Sequence, residues 1–209
     1  MNILIVGATR GVGRQVLEQA LASGHNVTAL VRDPQRLATQ HERLRAVTGD
    51  ILDANSVAMA MDGQNAVCCS IGVKVPWPTI TVFSQGTANL LQAMKQAGVK
   101  RLICVTGIGA GDSRGHGGFF YDCVFYPLVA WPIYADKNRQ ESLIRASDVD
   151  WTIVRPGFLT NGPMTKSYRA LTNLTGVTAG WISRADVAHF ILMELQSNQY
   201  LRQAPLLTA

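Results

Sequence analysis

The sequence predicts a single α/β domain built on a doubly wound parallel sheet. Three observations predict it. Strand-like and helix-like segments alternate along all 209 residues. The first apolar run, Ile3–Val6, meets glycines at Gly7, Gly11 and Gly13 and is followed by the amphipathic segment Arg14–Ser23. Hydrophobic content is 47%, enough for one sizeable core, and no low-complexity linker or internal repeat divides the chain. Repeated β-α units of this length return each strand parallel to the last through right-handed crossovers.

Taken in order, Met1–Val6 is the first strand. Strand, Gly-rich turn and helix together present free backbone N–H groups and a helix N-terminus to a pyrophosphate, as in a Rossmann-type dinucleotide site. Gly7 permits the sharp turn, Gly11 a close approach to phosphate oxygens, and Gly13 close packing of helix on strand. Asn26–Val31 is the second strand, and Arg32 stands at its end, 19 residues beyond Gly13. An acid there accepts hydrogen bonds from an adenosine ribose 2′-OH, whereas a guanidinium suits a 2′-phosphate. Arg36 lies one helical turn further on, and Arg10 of the loop is within reach of the same pocket. Three converging arginines favour NADP(H) over NAD(H). Asp33 is the competing acid, or else an N-cap with Pro34 at the first helical position.

Leu44–Val47 is the third strand and ends at Thr48-Gly49-Asp50. Asp50 either accepts a hydrogen bond from an adenine amino group or serves as a turn residue or N-cap. Ala66–Ser70 is the fourth strand, and Ser70-Ile71-Gly72 lets the backbone pass close to adenine or ribose. A helix over Ile80–Ala97 stops at Gly98 and leads into the fifth strand, Arg101–Val105. Gly107–Pro132 reads as a loop. Its first half holds six glycines in twelve residues, a mobile hinge by composition. Its second half continues into Phe119–Tyr134, an aromatic and aliphatic stretch that cannot face water throughout. Core packing, the wall of an apolar substrate pocket and pairing with a second copy to form a homodimer are its three fates. Asp112, Arg114 and His116 of the hinge lie within reach of a substrate. A helix near Ala135–Ala146 precedes the sixth strand, Trp151–Val154, closed by Arg155-Pro156-Gly157. A second substrate loop follows over about 157–180, with Asn161, Met164, Tyr168 and Arg169 as wall residues and Ser183 as the cap of the last helix.

Composition narrows the functional classes. The net charge of +5 comes from dispersed residues with no basic run, so a solvated surface and a phosphate site account for it better than nucleic acid. No run of apolar residues is long enough to span a membrane. The N-terminus begins directly with a strand and lacks a charged leader, which predicts a cytoplasmic protein. Four cysteines, Cys68, Cys69, Cys104 and Cys123, show no Cys-x-x-Cys spacing, and the four histidines are scattered. Free thiols and no metal site are expected.

The motifs in this order resemble the short-chain dehydrogenase/reductase superfamily, in its atypical NAD(P)H-binding branch with the NmrA-like proteins and the biliverdin-IXβ and flavin reductases. The matching segments are Gly7–Gly13, Leu30–Leu37, Gly49–Asp53, Gly98–Leu102 into Val105-Thr106, Lys137–Glu141, Asp150–Gly157 and Ile182–Ala188. The resemblance implies that Thr106 contacts a substrate oxygen. It also implies that Lys137 binds the nicotinamide ribose and lowers the pKa of a tyrosine acid. The usual spacing is Tyr-x-x-x-Lys, but the residue four before Lys137 is Ile133, and Tyr134 is three before. Neighbours at i,i+3 still share a helix face, so Tyr134 is the candidate acid. Gly107 stands where relatives often carry a second serine. The expected cofactor contacts are Gly7, Thr9, Arg10, Gly11, Val12, Gly13, Arg32, Arg36, Asp50, Ile51, Ser70, Gly72, Lys137 and Pro156.

Three functions follow from this reading. The first is an NADPH-dependent oxidoreductase delivering hydride to a small or medium apolar carbonyl or conjugated compound. The second is a flavin or biliverdin-type reductase, in which solvent supplies the proton. The third is a non-catalytic NADP(H) sensor whose partners read the bound state.

Overall fold

The computed structural model describes residues 1–73 and 80–209. In chain order the main elements are β1 (Asn2–Val6), α1 (Gly11–Ala22), β2 (Asn26–Val31), β3 (Leu44–Thr48), α2 (Ala54–Met61), β4 (Ala66–Cys69), α3 (Val82–Ala97) and β5 (Arg101–Val105). They continue with a π-helix (Tyr121–Ala130) and then α4 (Trp131–Arg145), β6 (Asp150–Pro156), β7 (Phe158–Thr160), β8 (Arg169–Leu171), β9 (Trp181–Ser183), α5 (Arg184–Ser197) and β10 (Leu206–Thr208). One sheet runs in the order β3-β2-β1-β4-β5-β6-β10-β8, and β7 pairs with β9 in a second, two-stranded sheet. Every pairing in the large sheet is parallel except that of β8 with β10. The chain is therefore a Rossmann-like α/β protein with an antiparallel edge.

The sheet is sandwiched because its strands are apolar on both faces. Ile3 and Ile5 of β1 point into the layer covered by α1 and α5, while Leu4 and Val6 point into the layer covered by α2, α3 and α4. That is the period-2 alternation of a strand. Burying each such side chain contributes about 1.5–3 kcal/mol. The helix ends also follow local chemistry. Gly98 closes α3 in the left-handed conformation at φ 71°, and Ser183 caps α5 by accepting from the Asp186 N–H.

Three segments differ from the sequence reading. The carboxyl-terminal β10 and its antiparallel partner β8 have three residues each, too short for an alternation to register. The apolar half of the predicted loop is helical instead. Phe119 onward coils continuously into α4, which starts at Trp131, four residues before the expected Ala135. Pro127 lies inside the wide π turn, where the N–H it lacks costs less than in a regular helix. Only Tyr126 and Ala130 of the π-helix are buried, so core packing is not the fate of most of this segment. The glycine half, expected as a mobile hinge, is tied down. The Gly111 N–H donates to Asn138 at 2.8 Å, and the Ala179 N–H donates to the His116 carbonyl at 2.8 Å.

Candidate functional site

The strand order reverses direction between β1 and β4, and this crevice is where doubly wound sheets take their ligands. The Gly-rich turn lies there for steric reasons. Gly7 has φ 92°, and a Cβ on it would fall on the carbonyl of Ser70. A Cβ on Gly13 would fall on the carbonyl of Gly7. At Gly11 a Cβ would meet only the Arg184 Nε, at 3.9 Å, so the turn stays open on its outer face. The N-cap of α1, Arg10, supplies no side-chain acceptor, and no acid stands in the first turn. The helix N-terminus is thus left for an anion from outside. These residues fit a dinucleotide pyrophosphate.

A groove of about 580 Å³ opens from this turn, lined by Thr9, Arg10, Gly11 and the outer face of α1 on one side and by Asn161, Met164 and Arg184 on the other. Asn161 and Met164, expected as substrate walls, line this groove beside the turn and not the ends of β5 and α4. Arg184 was not foreseen as part of the site. It reaches the turn because Asn161 Oδ1 accepts from its guanidinium at 2.8 Å, a contact between segments 23 residues apart. Tyr168 faces away, with its hydroxyl on His189 Nδ1 at 2.8 Å.

The arginines do not gather as the sequence suggested. Arg32 ends β2 with its side chain 80% exposed, 4.0 Å from Asp50. Arg36 closes a 3₁₀ turn, Pro34–Arg36, capped by Asp33 through the Gln35 N–H. Arg10, however, donates to the Gly72 carbonyl at 3.0 Å, on the β4 side of the turn. β2 and β4 flank β1 on opposite sides, so Arg10 is drawn away from Arg32. Asp50 takes the turn role, accepting from the Leu52 N–H, and Asp53 caps α2. Ser70 follows β4, its N–H bonded to the Val6 carbonyl, and Ile51 packs under Gly86 of α3. Val12 is buried in the α1 layer, and Pro156 ends β6.

The candidate catalytic side chains lie at the ends of β5 and along α4. Lys137 is buried and donates to the Thr106 carbonyl at 2.6 Å, with its ammonium 4.9 Å above the Phe83 ring. Burial pulls its pKa down, and the nearby Cys104, Cys69 and Glu141 partly restore it. The Thr106 hydroxyl, predicted to face substrate, donates instead to Glu141 Oε1 at 2.7 Å. Tyr134 lies three residues before Lys137 on α4, but its hydroxyl packs against Gly107 and its ring against Gly109. Burial raises the Tyr134 pKa above its ordinary value. That corrects the expected lowering toward neutrality. Gly107, with φ 146°, explains the absent serine, because a side chain there would fall on the Tyr134 hydroxyl. Tyr126 stacks on Tyr134 at 5.5 Å between centroids, and Arg114 lies 4.9 Å over the Tyr126 ring.

Behind Thr106 is a buried ionic network that no local signal announced. Arg155 is fully buried and grips Glu141 with two bonds of 3.0 and 2.6 Å, and Asp112 with one of 2.6 Å. Burial alone would raise the Asp112 pKa, but the hydrogen bond and charge of Arg155 outweigh it and hold the carboxyl below its usual range. A carboxylate depressed in the fold stabilises it above the unfolded value of about 3.9 and loses that contribution as pH falls through the folded value. Wild type should therefore exceed Asp112→Asn in urea stability near neutrality, and the gap should close below about pH 4. A gap unchanged with pH would show that the ion pair adds nothing.

The NAD(P)H-binding family matches residues 7–198, and the chain belongs to that family. An uncharacterised chloroplast protein of Arabidopsis thaliana is 30% identical over 78% of this chain, which spans 61% of that relative's length. The NAD(P)H azoreductase of Xenophilus azovorans is 30% identical over 75% of this chain and 48% of its own. Among solved structures, ChuY, an anaerobilin reductase from Escherichia coli O157:H7, superposes with a TM-score of 0.84 at 26% identity, covering 100% of this chain and 97% of that one. Among the described residues, no helix is long and apolar enough to cross a membrane.

Proposed function

Since the chain belongs to the NAD(P)H-binding family, we propose that it is an NADPH-dependent reductase of an extended conjugated acceptor, of the flavin or tetrapyrrole class. One observation carries the choice over a simple carbonyl. Carbonyl reduction needs a hydroxyl and a phenol aimed at one substrate oxygen, with a lysine beside them. Here the Thr106 hydroxyl is committed to Glu141, and Tyr134 is stacked on Tyr126 with its hydroxyl packed against Gly107 and its pKa raised by burial. A phenol held above its ordinary pKa gives up its proton reluctantly. Solvent supplies the proton in this reading.

The chain's own residues bind and orient. The N-terminus of α1 and the Gly7–Gly13 turn would hold the pyrophosphate, and Arg32 and Arg36, just after β2, would take the 2′-phosphate. Lys137 fixes the end of β5 through the Thr106 carbonyl and lies within reach of a ribose hydroxyl. The rings of Tyr121 and Tyr134, backed by the buried Tyr126, offer a wall on which a planar acceptor would stack. When bound, the reduced dinucleotide supplies the hydride. The activities named for two relatives, on an anaerobilin and on azo compounds, support such an acceptor.

The test is NADPH oxidation with FMN, a linear tetrapyrrole, an azo dye and simple aldehydes and ketones offered in parallel, for wild type and Tyr134→Phe. Turnover on the conjugated acceptors, unchanged within about threefold in the variant, is expected. A loss of about 10²–10⁴-fold in the variant, or activity confined to aldehydes and ketones, would establish Tyr134 as a general acid and overturn the reading. Tight NADPH binding with every acceptor silent would establish a sensor instead.

A further inference from the structure

The helical segment that precedes α4 exposes more apolar surface than a solitary chain keeps. Phe119 is 83% exposed, Phe120 71% and Leu128 67%, and Phe125 and Trp131 are about half exposed. The patch continues beyond the helix. Phe125 stacks on Tyr121, Tyr121 meets Phe158, and Phe158 meets Trp181, itself 66% exposed, through ring centroids 5.6, 5.3 and 5.2 Å apart. With whole aromatic side chains worth about 150–250 Å² each, the exposed part amounts to roughly 700 Å². Single chains rarely show patches above about 300–600 Å². One side of a standard stable interface buries about 800 Å².

We propose that this face pairs with the same face of a second copy of the chain, forming a two-fold dimer. Its area matches what one partner contributes to such an interface. Its composition matches too, for aromatic residues crowd it and charge is scarce, as in the cores of homodimer interfaces. From Phe119 to Tyr134 the sequence carries one charged residue, Asp122, and no lysine or arginine. Surfaces that lie in a lipid headgroup layer carry several basic residues beside their apolar ones, whereas Phe119–Tyr134 carries none of its own. Arg114, 5.8 Å over the Trp131 ring, comes from the preceding loop, so the scarcity of cations favours a protein partner. A two-fold contact lets one patch complement itself without any second specialised surface. The inference stands on the patch alone and does not depend on the reductase reading. Pairing would also clamp the π-helix that carries Tyr121 and Tyr126, so each copy would brace the other's aromatic wall.

The test is sedimentation velocity of wild type and a Phe120→Glu/Leu128→Glu double variant, from about 1 to 100 µM. Both positions are exposed, so the variant should keep the wild-type circular dichroism and melting profile. Wild type should sediment at twice the chain mass and the variant as single chains. Cys123 lies on the same helix and is the exposed one of the four thiols, so its labelling should slow as wild-type concentration rises and not in the variant. Wild type monomeric throughout would overturn the proposal. So would a dimer that persists in the variant, or a monomer that floats with vesicles of phosphatidylcholine and phosphatidylglycerol.

Discussion

Arg155→Met is expected to destabilise the fold by about 3–5 kcal/mol, the largest loss from any single exchange at the site. The guanidinium is fully buried, and Glu141 beneath it is 3% exposed. Removing the cation leaves the Glu141 carboxylate with the Thr106 hydroxyl at 2.7 Å and Arg145 at 3.8 Å, too little to offset its desolvation. Adding Glu141→Leu should recover most of the loss, because a buried pair replaced as a unit is nearly neutral whereas an orphaned charge is not. Urea unfolding of the two variants and wild type decides it. A double variant no more stable than Arg155→Met would trace the loss to packing rather than charge. The network also turns Thr106 away from the crevice, so the double variant frees its hydroxyl, and its activity on simple carbonyls is worth measuring alongside.

The second large effect is expected in cofactor choice. Arg32→Asp should raise the Kd for NADPH by about 10- to 150-fold, the equivalent of one charge-assisted contact of about 1.5–3 kcal/mol, and leave NADH binding unchanged or improved. Arg32 is exposed and available for that contact, and Asp50, its ionic neighbour among the described residues, is 4.0 Å away at the surface. Arg36→Ala should cost less, because one charge remains at the end of β2. Fluorescence titration with both dinucleotides reads the ratio directly. An NADPH Kd unmoved by Arg32→Asp would remove the argument for a 2′-phosphate at this position.

Much of the cofactor half was legible because its demands are local. A strand that must turn sharply needs the positive φ of Gly7, and a helix packed close to that turn needs Gly13 against the Gly7 carbonyl, demands that act within a few residues. Arg184 was illegible for the opposite reason. It belongs to the site only because the chain after β6 folds back over the turn and Asn161 holds it there. The π-helix was misread as a loop since Pro127 and the preceding glycines are breakers in a regular helix, and a wider turn tolerates them.

The sequence by itself therefore determined the alternation of strands and helices, the parallel doubly wound sheet and the Gly-rich turn that opens the first helix. Each is fixed by periodicity or backbone conformation acting over a few residues. Tertiary structure alone decided where the polar groups point: Thr106 toward Glu141, Lys137 toward the Thr106 carbonyl, Arg10 toward Gly72. A hydroxyl or guanidinium turns to whichever partner the fold brings within 3 Å, and those partners lie up to 62 residues away in the chain.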